Sequence, residues 1–186
     1  MVSTGLRRSL RWSVEAYHQL VDAGFLTGQR VELIDGEILE MVPERADHTY
    51  MWGALVERLR RWLGDRALVR PPAPITLSES EPEPDVAVVR GTWEDYRDRH
   101  PGVDDIFLLV EVSRSTLRFD RSTKAALYGS EGIAEYWIVD LQNQCLAVYR
   151  NPQADGYGDH QVLTAGAIAP LAFEDCVIQV ESLFQA

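Results

Sequence analysis

Apolar residues recur at helical spacing in three stretches of this chain and as short extended runs through most of the remainder. Val14, Tyr17, Leu20 and Val21 fall on one face of a helix that Ser13 can cap and Gly24 can stop. Trp52, Leu55, Leu59 and Trp62 form the predicted core stripe of a second helix, opening at Asp47 and otherwise rich in arginine. A third helix, capped by Asp120, carries Lys124, Leu127 and Tyr128 and ends at Gly132. The stretch VELIDGEILEM (31–41) predicts a hairpin, because Asp35-Gly36 suits a turn whose two positions need positive φ. Extended pieces follow at 67–70 and 74–77, punctuated by prolines. DVAVV (85–89) and IFLLVEV (106–112) are strands, linked through a short helix near 92–98. EYWIVD (135–140) and CLAVYR (145–150) pair across the turn LQNQ, and shorter strands follow near 158–163 and 176–180. The sum is an α/β fold: a central mixed β-sheet of apolar strands, covered on both faces and flanked by helices.

Composition narrows the class. At 186 residues and 46% hydrophobic, residues 1–186 suit one domain, with a core over about 12–150 and a C-terminal β extension over 151–186. No apolar run approaches the ~20 residues that span a bilayer. The opening MVSTGLRRSLRW lacks the apolar stretch of a signal peptide. Cys145 and Cys176 are far apart, without metal-site spacing, and suit buried thiols in a reducing cytoplasm. The formal net charge of −11 argues against a protein that coats duplex DNA, since phosphate neutralisation supplies most of that affinity. It does not argue against one carboxylate-rich cleft that holds metal ions.

The candidate chemistry lies in misplaced charges. Glu111 interrupts an apolar strand, where an unpaired carboxylate costs several kcal/mol. A metal ion, a lysine or a protonation shift could compensate, unless the strand end simply reaches solvent. Asp85 begins the other apolar strand, and two such strands at the centre of one sheet can bring both acids together. Two hard oxygen ligands suit Mg²⁺ or Mn²⁺ and not zinc, and the four histidines are scattered singly. Glu32 shares a strand face with Ile34 and can point inward. His48 lies on the stripe of Trp52 and Leu55, where packing is the commoner role. Lys124 is the single lysine, the other seventeen of the eighteen Lys and Arg residues being arginine. A compact ammonium suits places where a flat guanidinium does not. Asp120, four residues earlier, can pair with it along one helix face.

Pro84-Asp85, the buried acid Glu111 and a nearby lysine resemble the PD-(D/E)XK nuclease superfamily. More narrowly, the chain resembles the Uma-two family of restriction-endonuclease-like proteins. The matching stretches are VELIDGEILEMVP with His48 after it, EPDVAVV, LLVEVSRST, DRSTKAALY and GIAEYWIVD, in order over residues 12–150. The superfamily places its lysine two residues after the acid, and that position here is Ser113. In the narrower family it comes from the following helix, where Lys124 falls. Arg114 stands where that family often has proline, a change expected to alter loop shape more than chemistry. The resemblance implies a restriction-endonuclease-like fold, metal-binding roles for Asp85 and Glu111, and a supporting acid in Glu32.

These readings combine into metal-dependent hydrolysis of phosphodiester bonds in nucleic acid, with DNA as the expected substrate. Lys124 positions water or stabilises charge, Asp120 orients it, and His48, Tyr128 and Ser113 support the site. A homodimer is expected if both strands of a duplex are cut. Two rivals remain open at this level: a nuclease fold kept as a binding or regulatory module, and another two-carboxylate enzyme such as a glycosidase, which would leave Lys124 without a task.

Overall fold

The computed structural model describes residues 9–185, so the opening MVSTGLRR and Ala186 lie outside the described residues. Its centre is a six-stranded mixed sheet. In spatial order it comprises β3 (Leu68–Arg70), β4 (Val86–Val89), β5 (Ile106–Ser113), β6 (Glu135–Asp140), β7 (Cys145–Gln153) and β8 (Gly156–Leu163). Only the central pair, β5 and β6, runs parallel, while its neighbours on both sides are antiparallel. The parallel pair needs a crossover, and the segment 114–134 supplies it, containing α3 (Leu117–Phe119) and α4 (Ala125–Ser130).

Both faces of the inner strands β4, β5 and β6 are buried, as continuous apolar strands require, whereas β8 is largely exposed. Leu108, Val110 and Val112 of β5 join one core with Leu55, Leu59 and Leu63 of α2 (Ala46–Leu63). The C-terminal stretch adds Ile168, Phe173, Ile178 and Val180 to that core, held by a small pair of strands, β9 (Ala167–Ile168) and β10 (Ile178–Gln179). Leu109 of β5 belongs to the opposite core with Tyr128 of α4 and Ile34 of β1 (Val31–Ile34).

The predicted hairpin is present: β1 pairs antiparallel with β2 (Glu37–Glu40), and Asp35 and Gly36 take φ of 47° and 73°. The first helix, α1 (Val14–Asp22), is capped by Ser13 Oγ, which accepts from Ala16 N at 3.2 Å. Its buried face is narrower than predicted, since Tyr17 is buried but Val21 is exposed.

Two helix expectations are corrected. α2 begins at Ala46, and Asp47 lies in its first turn without capping it. Its buried stripe is Met51, Leu55, Val56, Leu59 and Leu63, rotated from the predicted stripe so that Trp52 and Trp62 sit half-buried at its margins. Polar handles explain the rotation. Trp52 donates from Nε1 to Glu44 at 3.0 Å, and the Arg58 guanidinium lies 5.9 Å from the Trp62 ring. The third helical segment begins before Asp120, at Leu117, and widens into a π turn over Asp120–Lys124. Asp120 therefore has helical dihedrals and is not a cap.

Candidate active site

The β4–β5 register pairs Val86 with Val110, which places Asp85 beside Glu111 at one end of these two strands. Asp85 Oδ2 accepts from the Val112 backbone N–H at 2.6 Å. His48 Nε2 lies 3.2 Å from the same oxygen, so α2 reaches the acid pair from the side. Glu111 Oε1 accepts from Lys124 Nζ at 2.8 Å and from the Tyr128 hydroxyl at 3.1 Å. Lys124 Nζ also lies 3.3 Å from Glu32 Oε2, which accepts in addition from the Glu83 backbone N–H. One ammonium thus ties the hairpin, the central strand and the crossover helix together.

The π turn sets this arrangement. The Ala125 N–H reaches back to the Asp120 carbonyl, one residue further than an α turn allows. Lys124 then projects to Glu111 and Glu32, while Asp120 Oδ2 accepts from Ser113 Oγ at 2.5 Å. The expected Asp120–Lys124 ion pair is absent among the described residues. Asp120 instead fixes Ser113, the residue at the superfamily's usual lysine position. Asp85, Glu111, Lys124, Glu32, His48 and Asp120 all line one cavity of about 440 Å³. Tyr128 and Ser113 stand behind it, both fully buried.

Burial dominates the electrostatics. It pushes the Glu111 carboxyl well above the ordinary value, against the pull of Lys124. It opposes charge on Lys124, yet Glu111, Tyr128 and Glu32 together hold the ammonium well above its usual range. Asp120 is raised by burial, and Tyr128 is raised well above an ordinary phenol for the same first reason. Burial also works against charge on His48, but Asp85 and Glu44 outweigh it and the shift is upward.

The oxygens left over distinguish these acids from structural ones. Glu135 and Asp140 are fully buried, and each uses both carboxylate oxygens. Glu135 accepts from Trp137, Arg150 and the Leu171 N–H. Asp140 accepts from the Gln142 and Asn143 N–H groups, Asn143 Nδ2 and Arg121. By contrast, Asp85 Oδ1, Glu111 Oε2 and Glu32 Oε1 accept no hydrogen bond among the described residues, and none is sealed from solvent. No group of three or more His, Cys, Asp or Glu residues forms a ready metal cage among the described residues.

The sequence reading missed Glu44. Its carboxylate receives Trp52, Thr49 and Arg30 and lies 3.5 Å from His48 Nδ1. The four-residue spacing from Glu44 to His48 was the available signal. Arg30 also reaches Glu83 at 3.3 Å, strapping the two segments that flank the cavity.

The six-stranded mixed sheet with its helical crossover is a fold also seen in a solved structure. That structure, described as "a putative nuclease belonging to DUF820 from Anabaena variabilis ATCC 29413", shares it at TM-score 0.66 and 16% identity, covering 83% of this chain and 89% of that one. The chain belongs to the Uma2 family, described as "Putative restriction endonuclease", which it matches over residues 14–181. A search of curated proteins finds no match.

Proposed function

We propose that this protein is a divalent-metal-dependent endonuclease acting on DNA. The observation that carries the reading is the pair of carboxylates on adjacent strands, each with one oxygen committed to the protein and one free toward the cavity. Asp85 Oδ1 and Glu111 Oε2 are hard donors, and the site holds neither thiolate nor a histidine pair. That set fits Mg²⁺ or Mn²⁺ with water completing the shell, and Glu32 Oε1 could hold one of those waters. When bound, such an ion neutralises phosphate charge and lowers the pKa of a water.

The chain's own groups do the rest. His48 and the Val112 N–H fix the Asp85 carboxylate. Tyr128 and Lys124 fix Glu111. The Lys124 ammonium has three donors, one hydrogen-bonded to Glu111 while Glu32 lies in ion-pair contact, so donor capacity remains for a phosphoryl oxygen or the attacking water. There it stabilises the negative charge that develops during hydrolysis. DNA as substrate follows the family description. The homodimer expected from the sequence is tied to cutting both strands of a duplex and stands or falls with that activity. No helix among the described residues is long and apolar enough to cross a membrane.

The test is cleavage of plasmid and single-stranded DNA with Mg²⁺ or Mn²⁺, in wild type and Lys124→Ala. Metal-dependent cleavage that the variant loses supports the reading. Equal cleavage by both removes Lys124 from the mechanism, and no cleavage by either supports a binding module.

A further inference from the structure

The cavity has an apolar end that phosphate hydrolysis does not use. Leu39 of β2, Met41, Val42 and Phe119 of α3 line it. Leu39 and Phe119 are braced against the core below, whereas Val42 is 58% exposed at the rim. The charges around the cavity are equally uneven. Seven acidic residues line it against two cations, Arg30 and Lys124. Both cations are already in ion pairs, Lys124 with Glu32 and Glu111, Arg30 with Glu44 and Glu83.

Duplex DNA is gripped through many phosphate contacts to free lysine and arginine, and this cavity supplies none. A single strand can be held instead by its bases on apolar and aromatic side chains. The volume of about 440 Å³ lies in the range that takes one small-molecule-sized unit. A smaller hollow of about 50 Å³ shares Val42 and Thr116 with the cavity and is lined further by Pro43, Arg45 and Arg114. Arg45 is exposed and makes no ion pair among the described residues, so a guanidinium is available one step past the apolar end.

We propose that the cavity takes an unpaired nucleotide of single-stranded DNA. Its base lies against Leu39, Met41, Val42 and Phe119, the adjoining phosphate lies where Asp85 and Glu111 would hold the divalent ion, and the next phosphate along the strand meets Arg45. This rests on the nuclease reading above. It also means that one chain suffices, because each strand is engaged singly.

Fluorescence anisotropy tests it with a labelled single-stranded oligonucleotide and its matched duplex, using Ca²⁺, a hard cation for the same oxygen ligands. Cleavage of both substrates and of bis(p-nitrophenyl) phosphate, a diester without a base, is measured with Mn²⁺. The expected result is single-strand binding and cleavage at least ten-fold better than duplex. Val42→Ser and Met41→Ser raise KM for the single strand three-fold or more with kcat within two-fold, and lower its preference over the small diester. Arg45→Ala reduces the salt slope of single-strand binding by about one. Duplex bound or cut as well as the single strand overturns the proposal, as does an unchanged KM in both variants. If no diester is hydrolysed with Mn²⁺, the nuclease reading fails, and the anisotropy preference alone decides the strand proposal in either direction.

Discussion

Lys124 Nζ lies 2.8 Å from Glu111 Oε1, with both side chains about 6% exposed. The contact joins a central strand to the crossover helix that follows it. Lys124→Ala leaves Glu111 and Glu32 buried without their cation, a loss of about 3–5 kcal/mol for a broken buried pair. Cleavage should fall by a factor of about 100 or more if the ammonium stabilises the reacting phosphate. Urea unfolding and the plasmid assay measure the two effects separately.

Lys124→Arg isolates shape from charge. The planar fork cannot reproduce both ammonium contacts, to Glu111 and to Glu32, in the same space. The variant should be more stable than Lys124→Ala yet retain no more than about a tenth of wild-type cleavage, a loss of about 1.4 kcal/mol in transition-state stabilisation. Normal cleavage would show that any buried cation serves.

Asp85→Asn and Glu111→Gln each remove the charge of one proposed ligand. Isothermal calorimetry with Mn²⁺ should show affinity reduced about ten-fold or more in either variant. Unchanged Mn²⁺ binding in both would move the ion elsewhere.

Asp120 and Ser113 act as one unit, joined by a 2.5 Å hydrogen bond. Ser113→Ala and Asp120→Asn should therefore be non-additive, with a coupling of about 0.5–3 kcal/mol in a double-mutant cycle of thermal stabilities. A purely additive cycle would return Asp120 to the role of orienting Lys124.

Acid stability depends in part on Asp105, well away from the cavity. The Arg99 side chain and the Gly102 N–H hold its carboxyl below the usual range. A carboxylate depressed in the folded state stabilises above its unfolded pKa of about 4 and loses that contribution as pH falls through the lower folded value. Asp105→Asn should be less stable than wild type at neutral pH, and the gap should close on acidification. Urea midpoints at pH 7 and about pH 3 check both statements.

The hairpin was legible because Asp35 and Gly36 state their dihedral preference within two residues. The carboxylate at Glu111 was legible because an acid in an apolar strand demands a compensating partner. Glu44 was not, since an acid after Val42-Pro43 looks like an ordinary loop residue until Trp52, Arg30 and His48 converge on it. The α2 stripe was misjudged by about one position because periodicity counts tryptophan as wholly apolar, while each indole here meets a polar partner at the helix margin. Asp120 was misassigned because four-residue spacing presumes an α turn, and the π turn breaks that presumption.

By itself the sequence determined the elements, their apolar faces and the presence of acids that cost free energy unless answered. Those properties are local: dihedral preference, hydrophobic period and desolvation act within a few residues of chain. The tertiary structure decided which partner answers each acid. Glu32, Glu111 and Lys124 meet only when the hairpin, the β5 strand and the crossover helix close around one cavity, and a Coulomb interaction depends on distance through space and not along the chain. It also decided that Asp85 and Glu111 keep a free oxygen while Glu135 and Asp140 do not, because hydrogen-bond saturation is settled by packing.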